Sequence, residues 1–142
     1  PRRALAQERL DDWSDPECHL GNLKVSACTG DYKLTASRKE ELAASDLIVM
    51  TAEMLNSRVR NHRSENSEFL KEIGTLVIDE CHLISSPGRG DHLESGLMKF
   101  TEINPACRLV GLSATLPNVD EMGSWFSRLN DKKTVVLESK YR

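Results

Sequence analysis

The sequence lacks any paired-cysteine spacing: Cys18, Cys28, Cys81 and Cys107 are scattered, with no C-x-x-C among them. That argues against a disulfide framework and a structural zinc site, and it fits a reducing compartment. The neighbours Cys18-His19 and Cys81-His82 are too close in sequence to make a tetrahedral site by themselves. No apolar run approaches the roughly 18 residues needed to span a bilayer, and no secretory signal pattern is present. Internal repeats and low-complexity segments are absent, which excludes a repeat architecture. Charge of one sign is also missing: 19 basic and 22 acidic residues leave a net charge of −3. A surface basic all over is thereby excluded, although a few well-placed groups suffice to hold a phosphate backbone locally. There is no initiator Met, and both ends, Pro1-Arg2-Arg3 and Lys140-Tyr141-Arg142, are expected to be cuts through a longer protein. What is present is 142 residues of ordinary globular composition, 39% hydrophobic and 29% charged, enough for one domain with its own core.

Helical and extended patterns alternate along the chain. Ala6, Leu10 and Trp13 recur at helical spacing and predict a helix over 3–13. Lys24 to Cys28 reads as a strand ended by the turn residues Thr29-Gly30-Asp31. A helix over Ser37 to Ala44 and a strand over Leu47 to Met50 follow, the latter apolar enough to be buried on both faces of a parallel sheet. Thr51 caps the next predicted helix, which carries Met54, Leu55, Arg58 and Val59. Asn61 to Ser67 reads as an exposed loop, and the cluster Arg58, Arg60 and Arg63 as solvated, like His19, His62 and His92. A short helix with Phe69, Leu70 and Ile73, stopped by Gly74, leads into the strongest strand, Thr75 to Ile78. After a Pro/Gly-rich loop from Ser85 to Gly90, Leu93, Leu97 and Phe100 define a helix face. A strand over Arg108 to Leu112 comes next. Asn118 is placed to cap an amphipathic helix through Val119, Met122, Trp125, Phe126 and Leu129, and Thr134 to Leu137 reads as a last strand. Such alternation predicts an α/β fold whose parallel sheet is covered on both faces, with ligands beyond the carboxyl ends of the strands.

That rule singles out Thr29-Gly30, Thr51-Ala52-Glu53, Asp79-Glu80 and Ser113-Ala114-Thr115. Two carboxylates at a strand's end suit a nucleoside triphosphatase, where one holds Mg²⁺ and the other orients and deprotonates the attacking water. Alone, such a pair could equally be a strand ending in a solvated loop. The continuation Asp79-Glu80-Cys81-His82, followed further on by Leu112-Ser113-Ala114-Thr115-Leu116-Pro117-Asn118 and Trp125, resembles the DExH helicases of superfamily two. More narrowly it resembles their Ski-type branch, which holds RNA-exosome, spliceosomal and archaeal DNA-repair helicases. Pro1-Arg2-Arg3-Ala4-Leu5-Ala6 looks like that family's motif Ia, Thr29-Gly30-Asp31 like motif Ib, and Thr51-Ala52-Glu53 like its TPE motif. Arg89-Gly90 with Leu93-Glu94 looks like the RG..LE signature, and Ser139-Lys140-Tyr141-Arg142 like the start of the YRP stretch.

The resemblance implies an incomplete RecA-like three-layer α/β/α domain over residues 1–142, running from motif Ia through motif III, its first strand and phosphate loop missing. It implies ATP and Mg²⁺ as cofactors of the parent protein, with Asp79 holding the metal through water and Glu80 as the base. His82 would link the nucleotide site to strand-coupling elements; Ser113 and Thr115 would tie hydrolysis to domain movement by bonding to the DExH box. Arg2, Arg3, Thr29, Gly30 and Thr51 would lie on a track for single-stranded or partly duplex nucleic acid, gripping phosphates without reading sequence. A second RecA-like domain of the same parent chain, no membrane, and an intracellular location, cytoplasmic or nuclear, complete the expectation. DNA and RNA stay open, with the TGDY and TAE stretches leaning toward the DNA-repair members.

Two departures from the family stand out. Ala52 replaces the usual Pro, which only presets the first helical turn. No G-x-x-x-x-G-K-[ST] occurs, so no backbone cradle and Lys hold the β- and γ-phosphates, and the chain alone is expected neither to hydrolyse ATP nor to unwind. Two other readings compete: a non-catalytic nucleic-acid or protein-binding scaffold on the same fold, and an unrelated triphosphatase sharing only the sheet. The intact Asp79-Glu80 and Ser113-Ala114-Thr115 favour the motor, since a scaffold has no physical need of either.

Overall fold

The computed structural model describes residues 8, 11–13, 15, 18, 22–28, 35–61, 65–88, 90–114 and 118–139. The chain divides into two compact units, residues 1–69 and 70–142. Each holds a pair of parallel strands joined through a helix, the connection that parallel pairing requires. The α/β expectation is thereby met, with the described strands forming two parallel pairs. Of the predicted first helix, Glu8 and Asp11 to Trp13 are described and helical.

In the first unit, β1 (Val25–Cys28) pairs with β2 (Leu47–Met50), Val25 opposite Leu47 and Cys28 opposite Met50. Helix α1 (Ala36–Ala43) connects them. Its cap is Thr35, whose hydroxyl accepts from the Arg38 N–H at 3.3 Å, so the helix starts one residue earlier than the apolar spacing indicates. Helix α2 (Ala52–Arg60) is capped by Thr51, as read from the sequence: the Thr51 hydroxyl accepts from the Met54 N–H at 3.3 Å. Leu42, Leu55, Val59 and Phe69 are buried. Strand β2, expected to be buried on both faces, is only half-buried throughout, as its apolar side chains retain partial access to water.

A polar network holds β1 to α1. Buried Ser26 donates to Glu41 Oε1 at 3.1 Å, Ser45 donates to Ser26 Oγ at 2.8 Å, and Arg38 pairs with the same Glu41 oxygen while donating to the Ala27 carbonyl. The Arg38 guanidinium, helped by Ser26, holds the half-exposed Glu41 carboxyl below the usual range. A depressed folded-state value means that this stabilisation is complete above the unfolded value, about pH 4.3, and is lost as pH falls through the folded one. Glu41→Gln is therefore expected to lower the thermal midpoint at neutral pH and to lower it less at an acid pH, as the wild-type carboxyl takes up its proton. Equal losses at both pH values in calorimetry would show that Glu41 acts through packing alone.

In the second unit, β3 (Thr75–Ile78) and β4 (Arg108–Gly111) run parallel, Ile78 opposite Gly111. Between them come a 3₁₀ turn, Cys81–Ser85, and helix α3 (Gly90–Ile103); helix α4 (Val119–Asn130) follows β4. Helix α3 packs against the 3₁₀ turn and against α4, and Leu70, Leu97, Phe100, Cys107, Met122 and Phe126 are buried.

Four local readings change here. The segment expected to be a loop and then a helix is a 3₁₀ stretch, Glu65–Lys71, ending before Gly74, so Gly74 is not its stop. Asn118 does not cap α4 with its side chain; its amide donates to Glu121 Oε2 at 3.2 Å instead. Thr134 to Leu137 forms no strand, because the Thr134 N–H and hydroxyl are both bonded to Ser127 Oγ on α4, at 3.1 and 2.9 Å. Burial of β3 is one-sided, Ile78 being buried and Val77 exposed, and β4 is at most half-buried rather than a buried strand.

Candidate active site

The last buried residue of β3, Ile78, delivers the chain into Asp79-Glu80, both exposed. Glu80 turns the chain sharply. Its backbone lies in the left-handed region, φ 51° and ψ 46°, which costs a side-chain-bearing residue about 1–2 kcal/mol. Surrounding hydrogen bonds hold that conformation. The Glu80 N–H donates to Asp79 Oδ1 at 3.0 Å, the Glu80 carbonyl accepts from the Leu83 N–H at 2.9 Å, and the Cys81 N–H donates to the Leu112 carbonyl at 2.8 Å.

Leu112 also donates its own N–H to the Ile78 carbonyl at 2.9 Å, so its backbone brackets the DExH turn on both sides. The next residue, Ser113, then stands with its Oγ 3.1 Å from His82 Nδ1. The same Nδ1 lies 3.1 Å from Glu80 Oε2. Nδ1 is thus hydrogen-bonded to Ser113 Oγ and within ion-pair distance of the Glu80 carboxylate. Glu80, His82 and Ser113, read separately from the sequence, are thus brought together around one imidazole nitrogen, with Asp79 beside them.

Thr51 spends its hydroxyl on capping α2. Arg2, Arg3, Thr29, Gly30 and Thr115 lie outside the described residues. A depression of about 640 Å³ lies elsewhere in the second unit, lined by Ile84, Glu94, Asn118, Asp120, Trp125 and Arg128, and takes in none of the DExH side chains. Among the described residues no group of three or more His, Cys, Asp or Glu is arranged to hold a metal by itself. Cys81, between Glu80 and His82, is a buried thiol whose ionisation is pushed up by burial, so it behaves as packing rather than as a nucleophile. All four cysteines are free, as their spacing implied.

Missed by the sequence reading were the left-handed Glu80, the bracketing backbone of Leu112 and the close approach at Gly111. The last had a visible signal, a glycine ending an apolar strand. The first two carry none, because any residue can supply a backbone N–H and carbonyl.

A parallel strand thus ends in adjacent carboxylates, with a histidine beside them in contact with a serine that follows the neighbouring strand. The model of the family described as DEAD/DEAH box helicase matches residues 1–122. The chain belongs to that family. Among its relatives, the ATP-dependent DNA helicase Hel308 of Pyrococcus abyssi is 39% identical over 127 residues, 89% of this chain and 16% of the relative. Hel308 of Methanocaldococcus jannaschii is 34% identical over 127 residues, 89% of this chain and 10% of the relative. The chain therefore spans only a small part of the curated relatives it matches. The solved structure of Mycobacterium smegmatis helicase Lhr bound to ssDNA and AMP-PNP superposes with a TM-score of 0.58 at 23% identity, covering 86% of this chain and 16% of that one, a likeness of fold.

Proposed function

We propose that residues 1–142 are the part of a first RecA-like motor domain, from motif Ia through motif III, that couples ATP hydrolysis to movement along a nucleic-acid strand. The observation that carries this reading is His82 Nδ1, hydrogen-bonded to Ser113 and 3.1 Å from the Glu80 carboxylate. It sets a candidate general base beside a histidine bonded to the serine that follows the neighbouring strand, so the imidazole would sense both. Asp79 and Glu80 offer exposed oxygen donors of the kind a hard divalent cation takes, with Asp79 Oδ2 left over after Oδ1 accepts the Glu80 N–H. Asp79 would hold Mg²⁺ through water, and the ion would neutralise charge developing on the transferred phosphoryl group. The cradle for the β- and γ-phosphates has no G-x-x-x-x-G-K-[ST] sequence in this chain, so it would come from elsewhere in the parent protein.

Glu80 would take the proton of the attacking water. His82 would keep its carboxylate oriented, and Ser113 with Thr115 would relay the state of the site to the movement of a second RecA-like domain. Arg2, Arg3, Thr29, Gly30 and Thr51 would grip the strand's phosphates. The relatives named above are DNA helicases, which favours DNA as the strand. A motor on nucleic acid works inside the cell, and among the described residues no helix is long and apolar enough to cross a membrane.

In the intact parent protein, Glu80→Gln is expected to reduce strand-stimulated ATP turnover by a factor on the order of 10² to 10⁴, the contribution of a positioned general base. Filter binding of a labelled single strand should change far less. A variant that keeps wild-type turnover would remove Glu80 from the reaction and return the chain to a scaffold role.

A further inference from the structure

We infer that Gly111 is a positioning residue of the DExH turn, setting through Cys81 how closely His82 approaches Ser113; the inference rests on the coupling role proposed above. Gly111 ends β4. A Cβ built on it would stand 3.1 Å from Phe126 Cζ and 3.3 Å from Cys81 Sγ, with Phe126 Cε2 at 3.5 Å. The first two separations are tighter than ordinary carbon contacts, so the absence of a side chain here is what lets the two neighbours close over the strand end.

Those neighbours differ in how readily they yield. Phe126 is buried in the apolar face of α4 and meets Trp125 edge to face, ring centres 5.4 Å apart. Moving that ring disturbs more packed surface than moving one sulfur. Cys81 begins the 3₁₀ turn directly after the left-handed Glu80, where the backbone is already away from its preferred conformation. A methyl at Gly111 therefore presses on Cys81 as well as on Phe126, and the part that Cys81 takes up shifts the turn. Cys81 lies between Glu80 and His82, and its N–H is bonded to Leu112, the residue between Gly111 and Ser113. Displacement of a few tenths of an ångström is comparable to the tolerance of the 3.1 Å contact between His82 and Ser113. Gly111 touches none of the reacting groups and acts only through this spacing.

The test is read on the imidazole of His82 in the 142-residue chain. Imidazole ¹⁵N spectra at one fixed pH are recorded for the wild type, Ser113→Ala, Gly111→Ala and Gly111→Ala/Cys81→Ala, with the His82 signal assigned by its loss in His82→Gln. Ser113→Ala defines the shift produced when the serine partner is gone. Gly111→Ala is expected to move the His82 Nδ1 signal in that same direction, and removing the sulfur in the double variant to return it toward the wild-type position. An unmoved signal in folded Gly111→Ala, or a moved one that the added Cys81→Ala does not restore, overturns the inference and leaves Gly111 a packing glycine. If Gly111→Ala alone does not fold, the double variant decides: a wild-type signal upholds the inference and a displaced one overturns it. The readout is a ring environment rather than turnover, so its failure and the failure of the Glu80→Gln prediction are separate results.

Discussion

Gly90→Ala is expected to cost this chain roughly 3–5 kcal/mol, well above the ordinary range for adding one methyl group to a packed site. Gly90 is the first residue of α3 and is buried. A Cβ there would stand 1.8 Å from the Ile84 carbonyl oxygen and 2.6 Å from the Ile84 carbonyl carbon. Both are backbone atoms, so no rotamer change relieves the overlap; the 3₁₀ turn Cys81–Ser85 or the start of α3 must move bodily. The Gly90 N–H also donates to the Ser86 carbonyl at 2.8 Å, pinning the two segments together from the other side. Other glycines supply the scale. Gly88 has φ +75° with nothing near its missing side chain, so Gly88→Ala should cost about 1 kcal/mol through backbone strain alone. Gly74 has neither constraint, and Gly74→Ala should be close to neutral. Denaturant titrations of the three variants should rank them Gly90, Gly88, Gly74 in decreasing loss. A Gly90→Ala midpoint within error of Gly74→Ala would mean that the 3₁₀ turn gives way freely, and that the DExH residues on it are not rigidly held.

The second large effect is expected at Asn104. This side chain is buried just past the end of α3, and its amide nitrogen faces the carbonyls of Leu70, Lys71 and Ile73 at 3.0, 3.2 and 2.9 Å. Its Oδ1 accepts from the Cys107 N–H at 3.1 Å. One residue thereby fastens the approach to β3 to the approach to β4, the two strands whose ends carry the acidic pair and the serine. Asn104→Ala would leave several backbone groups facing a void. A buried group left without a partner costs about 1–3 kcal/mol, so a total of roughly 2–4 kcal/mol is expected. In a chain of this size that is a fall of about 10 °C in thermal midpoint. Asn104→Asp separates the donor from the shape. It keeps the side chain's size and its Oδ1 acceptor but turns a carboxylate oxygen toward three carbonyls, and should be at least as destabilising at neutral pH. An Asp variant as stable as the wild type would show that volume, and not hydrogen bonding, is what the site needs.

These two positions bear on how the active site is kept in shape. The cluster of Glu80, His82 and Ser113 lies at exposed strand ends, where few contacts hold it directly. Its geometry is inherited from what lies behind it: the register of β3 on β4, the helix start at Gly90 and the clip at Asn104. Such support lets an exposed carboxylate keep one orientation without a closed pocket around it.

Much of this was legible in the chain itself. Apolar runs ending in Asp79-Glu80 and in Leu112-Ser113 marked both strand ends, because a strand covered by helices must be apolar and its carboxyl end must meet water. Thr51 announced its helix, since a hydroxyl before a helical run satisfies an otherwise unpaired N–H. Thr134 to Leu137 misled, because its β-branched and apolar residues favour a strand while a strand also needs a partner. In the fold the Thr134 N–H goes to Ser127 on α4 instead. Asn118 misled in the same way: a good capping residue whose amide found Glu121.

What the sequence by itself determined was the alternation of helix and strand, the family, and which residues are candidates for the chemistry. Periodicity and side-chain type are local properties and survive in one dimension. Only the tertiary structure decided the left-handed turn at Glu80, the single His82 nitrogen shared by Glu80 and Ser113, the close fit at Gly111 and the fastening at Asn104. Each joins residues far apart in the chain or depends on backbone atoms that every residue possesses, and neither kind of contact is written in residue identity.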